Sequence, residues 1–259
     1  MVSSRDAWED RARRMGATVG GVLFKGFTEE ANGVLHAWHA RLVRNLLVPR
    51  IRHGGMVLDI GCGYGRLADV LATHRPDLEI VGQDISHHYC RQFLENGRPT
   101  VQADLATLPF RSGSFSGALA ITSLMYADRK CILDALGGIL AVLEPGAPCL
   151  FVDPGEELRL LVCRLGGRHV VSPTGGQGFK RDEYRRLAME AGFEAVAEGG
   201  NPRDSLLLAV SAGGRLGWPL GSKLFRRDGT EGGYSMFALH RWMLVKAPAE
   251  FVYRSPLAP

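Results

Sequence analysis

The stretch "VLDIGCGYGRLADVL", Val57 to Leu71, decides the fold. Gly61, Gly63 and Gly65 stand at alternate positions between a short apolar run and a helix-like run. The pattern reads as a strand, a tight turn and a helix start. Without Cβ atoms such a turn lets a ligand reach the backbone. The helix start offers free N–H groups and the positive end of a dipole. A pyrophosphate is one ligand for this corner, but the dinucleotide fingerprint is G-x-G-x-x-G. "GCGYGR" is G-x-G-x-G, with its last glycine one place early. Asp59 also sets a carboxylate just before the glycines. A carboxylate repels phosphate and suits an ammonium group, so this end of the ligand reads as amino-acid-like.

The neighbouring segments extend the pattern. "LEIVGQD" is a second strand ending in Asp84, an acid placed to accept from two ribose hydroxyls. "PTVQAD" is a third, ending in Asp104, whose carboxylate suits an adenine amino group while the Leu105 N–H suits a ring nitrogen. An aminoacyl end, a ribose and an adenine along three successive strand ends describe S-adenosylmethionine. The plainer reading of each Asp is a loop cap, and Gly61 and Gly63 can serve the turn alone. Cys62 reads as a packed or backbone-contacting residue rather than a nucleophile, since no base is evident beside it.

Strand, turn and helix alternate from Met56 onward. "GRLADVLATH" is a helix stopped by Pro76, and "HHYCRQFLENG" one ended by Asn96-Gly97. "SGALAIT" is a fourth strand, "KCILDALGGILAVLEPG" a helix, and "PCLFVDP" a fifth strand. This alternation predicts a parallel sheet with helices on both faces. Residues 1–50 read as a helical cap, in which "LHAWHARLVRNLLV" puts Leu35, Trp38, Leu42 and Leu46 near one face before Pro49 closes it. Residues 51–259 form the main domain. "KRDEYRRLAMEAGFEAV" is a late helix ended by Gly192 and entering a strand. Ser205 to Val210 and "SMFALHRWMLVKA" are strand-like and able to pair antiparallel. Insertions near 154–180 and 211–233, rich in glycine, read either as lids or substrate walls or as loose flaps.

The bulk numbers bound the class. The chain has 259 residues, of which 46% are hydrophobic and 22% charged, enough for a large core. The opening "MVSSRDAWEDRARRMG" lacks an apolar core of signal-peptide type, and no run approaches the roughly 18 apolar residues of a membrane span. Five cysteines show no CxxC and no metal spacing, so no metal and a reducing, cytoplasmic setting are expected. The net charge is +4, with arginines gathered at 11, 13 and 14, at 185 and 186, and at 226 and 227. These read as solvated faces rather than a nucleic-acid surface, because no aromatic residues interleave them.

Taken together, the motifs resemble those of class I S-adenosylmethionine-dependent methyltransferases. The likeness is greatest to the small-molecule branch that includes the ubiquinone and menaquinone biosynthesis enzymes. The motifs are "VLDIGCGYG", "GQDIS", "ADLATLPFRSGSF", "LEPGAPCLFVD" and "KRDEYRRLAMEAGF", spanning about Met56 to Phe193. The resemblance implies a Rossmann-like seven-stranded sheet, mostly parallel with an antiparallel last strand. It implies S-adenosylmethionine as cofactor, held at Asp59, Gly61, Cys62, Gly63, Asp84, Ile85, Asp104, Leu105 and Thr122. One departure is Ser116, where the family usually has an acid. That acid begins strand four and is mainly structural.

Methyl transfer from a sulfonium is an in-line displacement that needs alignment and exclusion of water. A base is needed only for a poor nucleophile such as a hydroxyl. His87, His88 and His240 are the candidate bases, since histidine titrates in the useful range; for His87 and His88 the plainer reading is a surface helix start. Tyr126, in the loop that faces the methyl group in the resembled family, orients the acceptor, shields the sulfonium or simply packs. Trp8 is a candidate wall and Trp38 a candidate core residue. The expected partner is a small molecule, substantially apolar or aromatic. A tRNA or protein methyltransferase, and a binder of the cofactor without transfer, remain the competing readings. Oligomeric state is left open by the sequence.

Overall fold

The computed structural model describes residues 3–25, 27–157, 160, 176–201 and 238–250. The expected strand Ser205–Val210, the second insertion and the arginines at 226 and 227 lie outside them, as does most of the first insertion.

Three helices precede the sheet: α1 (Ser4–Met15), α2 (Val19–Val22) and α3 (Glu29–Leu42). Ser3, Thr18 and Thr28 cap them, each accepting from a backbone N–H in the first turn. α3 then widens into a π-helical turn, Val43–Leu47, and a 3-10 turn, Val48–Arg50, that contains Pro49. Leu35, Trp38 and Leu42 are buried as the periodicity predicts. Beyond Leu42 the expectation fails: Val43 and Leu47 are buried, whereas Leu46 is only partly so. The π turn adds a residue to the repeat and rotates the buried face by one position.

The alternating segment contains β1 (Met56–Ile60), α4 (Arg66–His74), β2 (Glu79–Asp84), α5 (His87–Glu95), β3 (Thr100–Gln102), β4 (Gly117–Ile121), α6 (Ile132–Val142) and β5 (Pro148–Pro154). α7 (Arg181–Glu190), β6 (Glu194–Gly200) and β7 (His240–Lys246) follow. The strands form one seven-stranded sheet in the order β3-β2-β1-β4-β5-β7-β6. β1 to β5 are parallel, and β7 runs antiparallel between β5 and β6. Both edges of β7 are taken, by β5 on one side and β6 on the other.

Period-two alternation divides the core between the two faces. Leu58, Ala118, Ala120, Phe151 and Met243 join one cluster, packed under α6 and α7. Val57, Leu119, Leu150 and Trp242 join the other, with Trp38, Leu42 and the apolar residues of α4. Ser116 lies at the opposite end of the strands from the glycine corner, where its hydroxyl donates to the Met56 carbonyl at 3.0 Å. The serine thus joins β4 to β1, which keeps the departure structural. Chain order reverses between β1 and β4, the point at which open α/β sheets bind their ligands. None of the helices among the described residues is long and apolar enough to cross a membrane.

Arg75, at the end of α4, secures the entry to β1. Its guanidinium donates to the Val48 and Ile51 carbonyls at 3.1 Å, to the Arg52 carbonyl at 3.0 Å, and to Asp77 at 2.7 and 2.8 Å. Arg75→Ala is expected to cost about 2 kcal/mol, since charged hydrogen bonds to partly buried carbonyls are lost. At this chain length that lowers Tm by about 4–8 °C. A thermal melt that leaves Tm unchanged would show that water replaces the guanidinium.

Candidate active site

The turn after β1 is built by left-handed backbone and by bonds from the neighbouring strand ends. Gly61, Gly63 and Gly65 have φ of 68°, 55° and 96°, a region open to glycine and costly for most other residues. A Cβ on Gly61 would lie 2.2 Å from the Ser123 hydroxyl, and one on Gly63 would lie 2.9 Å from Val22 of α2. The Gly61 and Cys62 amides donate to the Gln83 carbonyl at 2.7 and 3.0 Å. Asp84 Oδ2 accepts from the Gly63 amide at 2.9 Å, and its Oδ1 accepts from the Ser86 amide at 2.8 Å. Ser123 donates to the Ile60 carbonyl at 2.8 Å, tying the end of β4 to that of β1.

These ends open on a cavity of about 260 Å³. Gly61, Cys62, Gly63, Gln83, Asp84, Ile85, Asp104, Leu105, Thr122 and Tyr126 line it, together with Ser4 and Trp8 of α1, Val22, Arg66, Asp128 and Cys131. Of the expected cofactor residues, only Asp59 is absent from the lining; it sits directly behind, 3% exposed. Its Oδ2 has no hydrogen-bond partner among the described residues. Burial, partly offset by the Arg66 charge, pushes the Asp59 carboxyl up to about 7. Burial also pushes Asp84 up to about 6, against the pull of the Ser86, Gly63 and Ile85 amides. Both carboxylates gain from a cationic or hydroxylated ligand, which fits the ammonium and ribose of S-adenosylmethionine.

Asp84 and Asp104 both cap backbone amides and both line the cavity. Asp104 lies two residues beyond the end of β3 rather than within it, exposed, and its Oδ1 accepts from the Ala106 amide at 2.9 Å. Cys62 is buried, and burial pushes its thiol well up, which suits packing rather than attack.

The candidate bases separate. Tyr126, on the 3-10 turn Leu124–Tyr126, lines the cavity and meets Trp8 edge to face, with ring centres 4.9 Å apart. His87 and His88 open α5 and do not line the cavity; His87 is exposed, and the His88 amide is held by Glu9 at 3.2 Å. His240 is fully buried on β7 and does not line the cavity, and burial pushes it down to about 3, which makes its ring a weak base. Trp38 is a core residue, as expected.

Four residues were missed: Arg66, Gln83, Glu9 and Tyr89. Arg66 and Gln83 line the cavity, although only the position of each beside a motif residue marks it in sequence. Glu9 of α1 accepts from the Ser86 hydroxyl at 2.8 Å, and Tyr89 donates to the Gly21 carbonyl at 3.0 Å; together they latch α1 and α2 onto α5. Thr122 has φ of 60°, the only positive value at a non-glycine among the described residues. A β-branched residue there is strained, and such strain gathers at functional sites.

A family model described as "Methyltransferase domain" matches residues 57–146. An O-methyltransferase of Aspergillus nomiae is 31% identical over 155 residues, which is 55% of this chain and 66% of that protein. An O-methyltransferase of Penicillium expansum is 29% identical over 212 residues, 73% of this chain and 72% of that protein. The match to the Aspergillus protein falls just short of two thirds of its length. Among solved structures, an S-adenosylmethionine-dependent methyltransferase of Leishmania major superposes with a TM-score of 0.63 at 16% identity, covering 94% of this chain and 82% of that one. With the strand order, the glycine corner and the acid-lined cavity, these likenesses establish that the chain belongs to the class I S-adenosylmethionine-dependent methyltransferases.

Proposed function

We propose that the protein transfers a methyl group from S-adenosylmethionine to a small, substantially apolar or aromatic metabolite. One observation carries this reading: a single cavity combines the carboxylates of Asp84, buried at the end of β2, and Asp104, exposed just beyond β3, with an apolar and aromatic wall of Val22, Trp8, Leu105, Ala127 and Tyr126. S-adenosylmethionine, when bound, supplies a methyl group on a positively charged sulfur. The chain's own residues do the rest. Asp59 takes the ammonium, Asp84 the ribose, and Asp104 with the Leu105 amide the adenine, while Gly61, Cys62, Gly63, Ile85 and Thr122 supply the close backbone.

Tyr126 and Trp8 close the site against water and orient the acceptor. The helices of residues 1–50 act as the cap, held by Glu9 and Tyr89. The first insertion supports a wall on the same side. Its two ends are bound together, since Glu156 N donates to the Phe179 carbonyl and Phe179 N to the Pro154 carbonyl, both at 3.0 Å. The returning end lies on Tyr126: Gln177 N donates to the Met125 carbonyl at 2.8 Å, and a Cβ on Gly176 would sit 2.6 Å from the Tyr126 ring.

Relatives named O-methyltransferases point to an oxygen acceptor. Two arginine clusters are occupied within the protein, which weakens the nucleic-acid reading. Arg13 pairs with Glu9, Arg185 with Glu198 and Arg186 with Glu190, and Arg11 donates to the Gly20 carbonyl at 2.9 Å. A reducing, cytoplasmic setting accords with the free thiols of Cys62, Cys90, Cys131 and Cys149. Incubation with methyl-labelled cofactor and cell extract tests the reading; label is expected in an extractable apolar metabolite. Label confined to RNA or protein, or no transfer at all, would replace it with one of the other two readings.

Two binding experiments test the cofactor side. Asp84→Ala is expected to weaken S-adenosylhomocysteine at least tenfold in calorimetry, as two hydrogen bonds to a charged acceptor are lost at about 1.5–3 kcal/mol each. Full retention of affinity would reduce Asp84 to a loop cap. The second concerns protons. With its carboxyl at about 7 before binding, Asp59 is part protonated at neutral pH. An ammonium beside it lowers that value, so binding is expected to release protons between pH 6 and 7.5 and to release fewer as pH rises above that range. Calorimetry in buffers of different ionisation enthalpy reads the release, and Asp59→Asn should remove most of it. Proton release that survives the substitution would move the ammonium away from Asp59.

A further inference from the structure

Asp153 is fully buried near the end of β5, after the apolar run "CLFV". A carboxylate there is costly to remove from water, and replacing a buried charge by an apolar side chain is often neutral or stabilising. Packing alone therefore does not account for it. Asp153 does not line the cavity either. Each of its oxygens is engaged. Oδ1 accepts from the Met125 amide at 3.0 Å, and Oδ2 accepts from the hydroxyl of Tyr184, on α7, at 2.8 Å. Burial pushes the carboxyl up to about 7, against both bonds and the charge of Arg129.

The bonds of Asp153 lead to the turn that carries Tyr126. Leu124–Tyr126 closes on itself, through the Tyr126 amide to the Ser123 carbonyl at 3.1 Å and the Ala127 amide to the Leu124 carbonyl at 3.0 Å. Both backbone polar groups of Met125 are instead held from outside the turn. Asp153 takes the amide, and the Gln177 amide donates to the carbonyl at 2.8 Å. Met125 stays off the cavity, whereas Tyr126 beside it is part of the lining. The Tyr126 ring is thus set by one residue buried behind the cavity and one on the returning end of the first insertion. Tyr184 is braced in turn. It packs on Phe179 with ring centres 4.6 Å apart, and the Arg129 guanidinium lies 3.6 Å over the Phe179 ring while donating to the Gln177 carbonyl at 3.0 Å. A carboxylate fixed between two donors suits a task that tolerates little displacement. Methyl transfer is such a task, since a shift of about 1 Å can cost about 100-fold in rate.

We propose that Asp153 is a positioning residue for methyl transfer: through the Met125 amide it sets the Tyr126 ring against the acceptor, and Tyr184 aims its carboxylate. The assignment rests on the acceptor-facing role of Tyr126 in the function proposed above. It brings α7, none of whose residues line the cavity, into the alignment of the acceptor.

Label transfer from methyl-labelled S-adenosylmethionine into the apolar fraction of cell extract reads the alignment, and calorimetry with S-adenosylhomocysteine reads the cofactor side. Asp153→Ala is expected to lower the transfer rate about 10- to 100-fold while S-adenosylhomocysteine affinity stays within about twofold. Asp153→Asn keeps an oxygen for the Met125 amide and offers hydrogens to the Tyr184 oxygen, so its rate should stay within about threefold of wild type. A double-mutant cycle shows whether the effect runs through Tyr126: in a Tyr126→Ala background, Asp153→Ala should cost no more than about twofold further. Losses that multiply, or cofactor affinity that falls with the rate, would make Asp153 a structural residue and overturn the proposal. Should Asp153→Ala fail to fold, Tyr184→Phe runs the same cycle, with a smaller loss that again vanishes in the Tyr126→Ala background. A wild type that transfers no label would overturn the proposed function instead. The fluorine resonance of fluorotyrosine at position 126, assigned by Tyr126→Phe, then decides by itself. It should move in Asp153→Ala and hold in Asp153→Asn; a resonance unmoved in Asp153→Ala overturns the positioning role.

Discussion

The hydrogen bond from the Gly63 amide to Asp84 Oδ2, 2.9 Å long, is the constraint on which the site depends. It joins the turn after β1 to the end of β2, and it requires left-handed backbone at Gly63. With that backbone fixed, the turn leaves the strand tightly enough for α4 to begin at Arg66, and the helix start faces the cavity. The same carboxylate accepts from Ser86, which caps α5. One side chain thus sets the direction of two helices and the floor of the cavity between them. Ser86 in turn donates to Glu9, so the N-terminal helices are placed by reference to the same atom group.

The sheet was legible because its rules are local. Short continuous apolar runs in "MVLDI" and "PCLFVDP", and the spacing of glycine and proline stops, put the strands and helices where the structure has them. The cofactor acids were legible because they fall at strand ends, a position that sequence alone reveals. The chain's misreadings arise where a long-range bond or a local irregularity overrides the pattern. The π turn at Val43–Leu47 shifts a face that strict 3.6 periodicity assigns to Leu46. Strand three stops at Gln102 because Asp104 turns back to bind the Ala106 amide, a competition between side chain and ladder that composition does not resolve. The place of β7 between β5 and β6 rests on long-range pairing, which no local signal encodes.

Histidines show the same division. His87 and His88 stand next to a motif and yet remain outside the cavity, whereas Tyr89 in the same turn of α5 lines it. His36, His39 and His240 carry no motif, and His39 and His240 are 201 positions apart. They meet because α3 packs on one face of the sheet and even-numbered residues of β7 face that side: His240 with Trp242 and Leu244. The alternation that assembles this half of the core also delivers the ring that His39 meets.

The site carries costs that packing alone does not require. Asp59, Asp84 and Arg66 are buried charges or potential charges, and Thr122 holds a backbone conformation that disfavours its side chain. Each lowers the stability of the ligand-free fold. They persist because the apolar layers on both faces of a seven-stranded sheet supply a surplus, and because the groups that suffer are the ones a charged, hydroxyl-bearing ligand would relieve. The linkage runs in one direction for the acids. Asp59 and Asp84 have folded values raised above those of the unfolded chain, so their burial is tolerated fully below the unfolded value and opposes folding increasingly as pH rises towards about 7 and about 6. A ligand that places a cation on Asp59 and hydroxyl donors on Asp84 reverses that trend near neutrality. Cofactor binding and folding stability are therefore coupled through the same carboxylates that recognise the ligand.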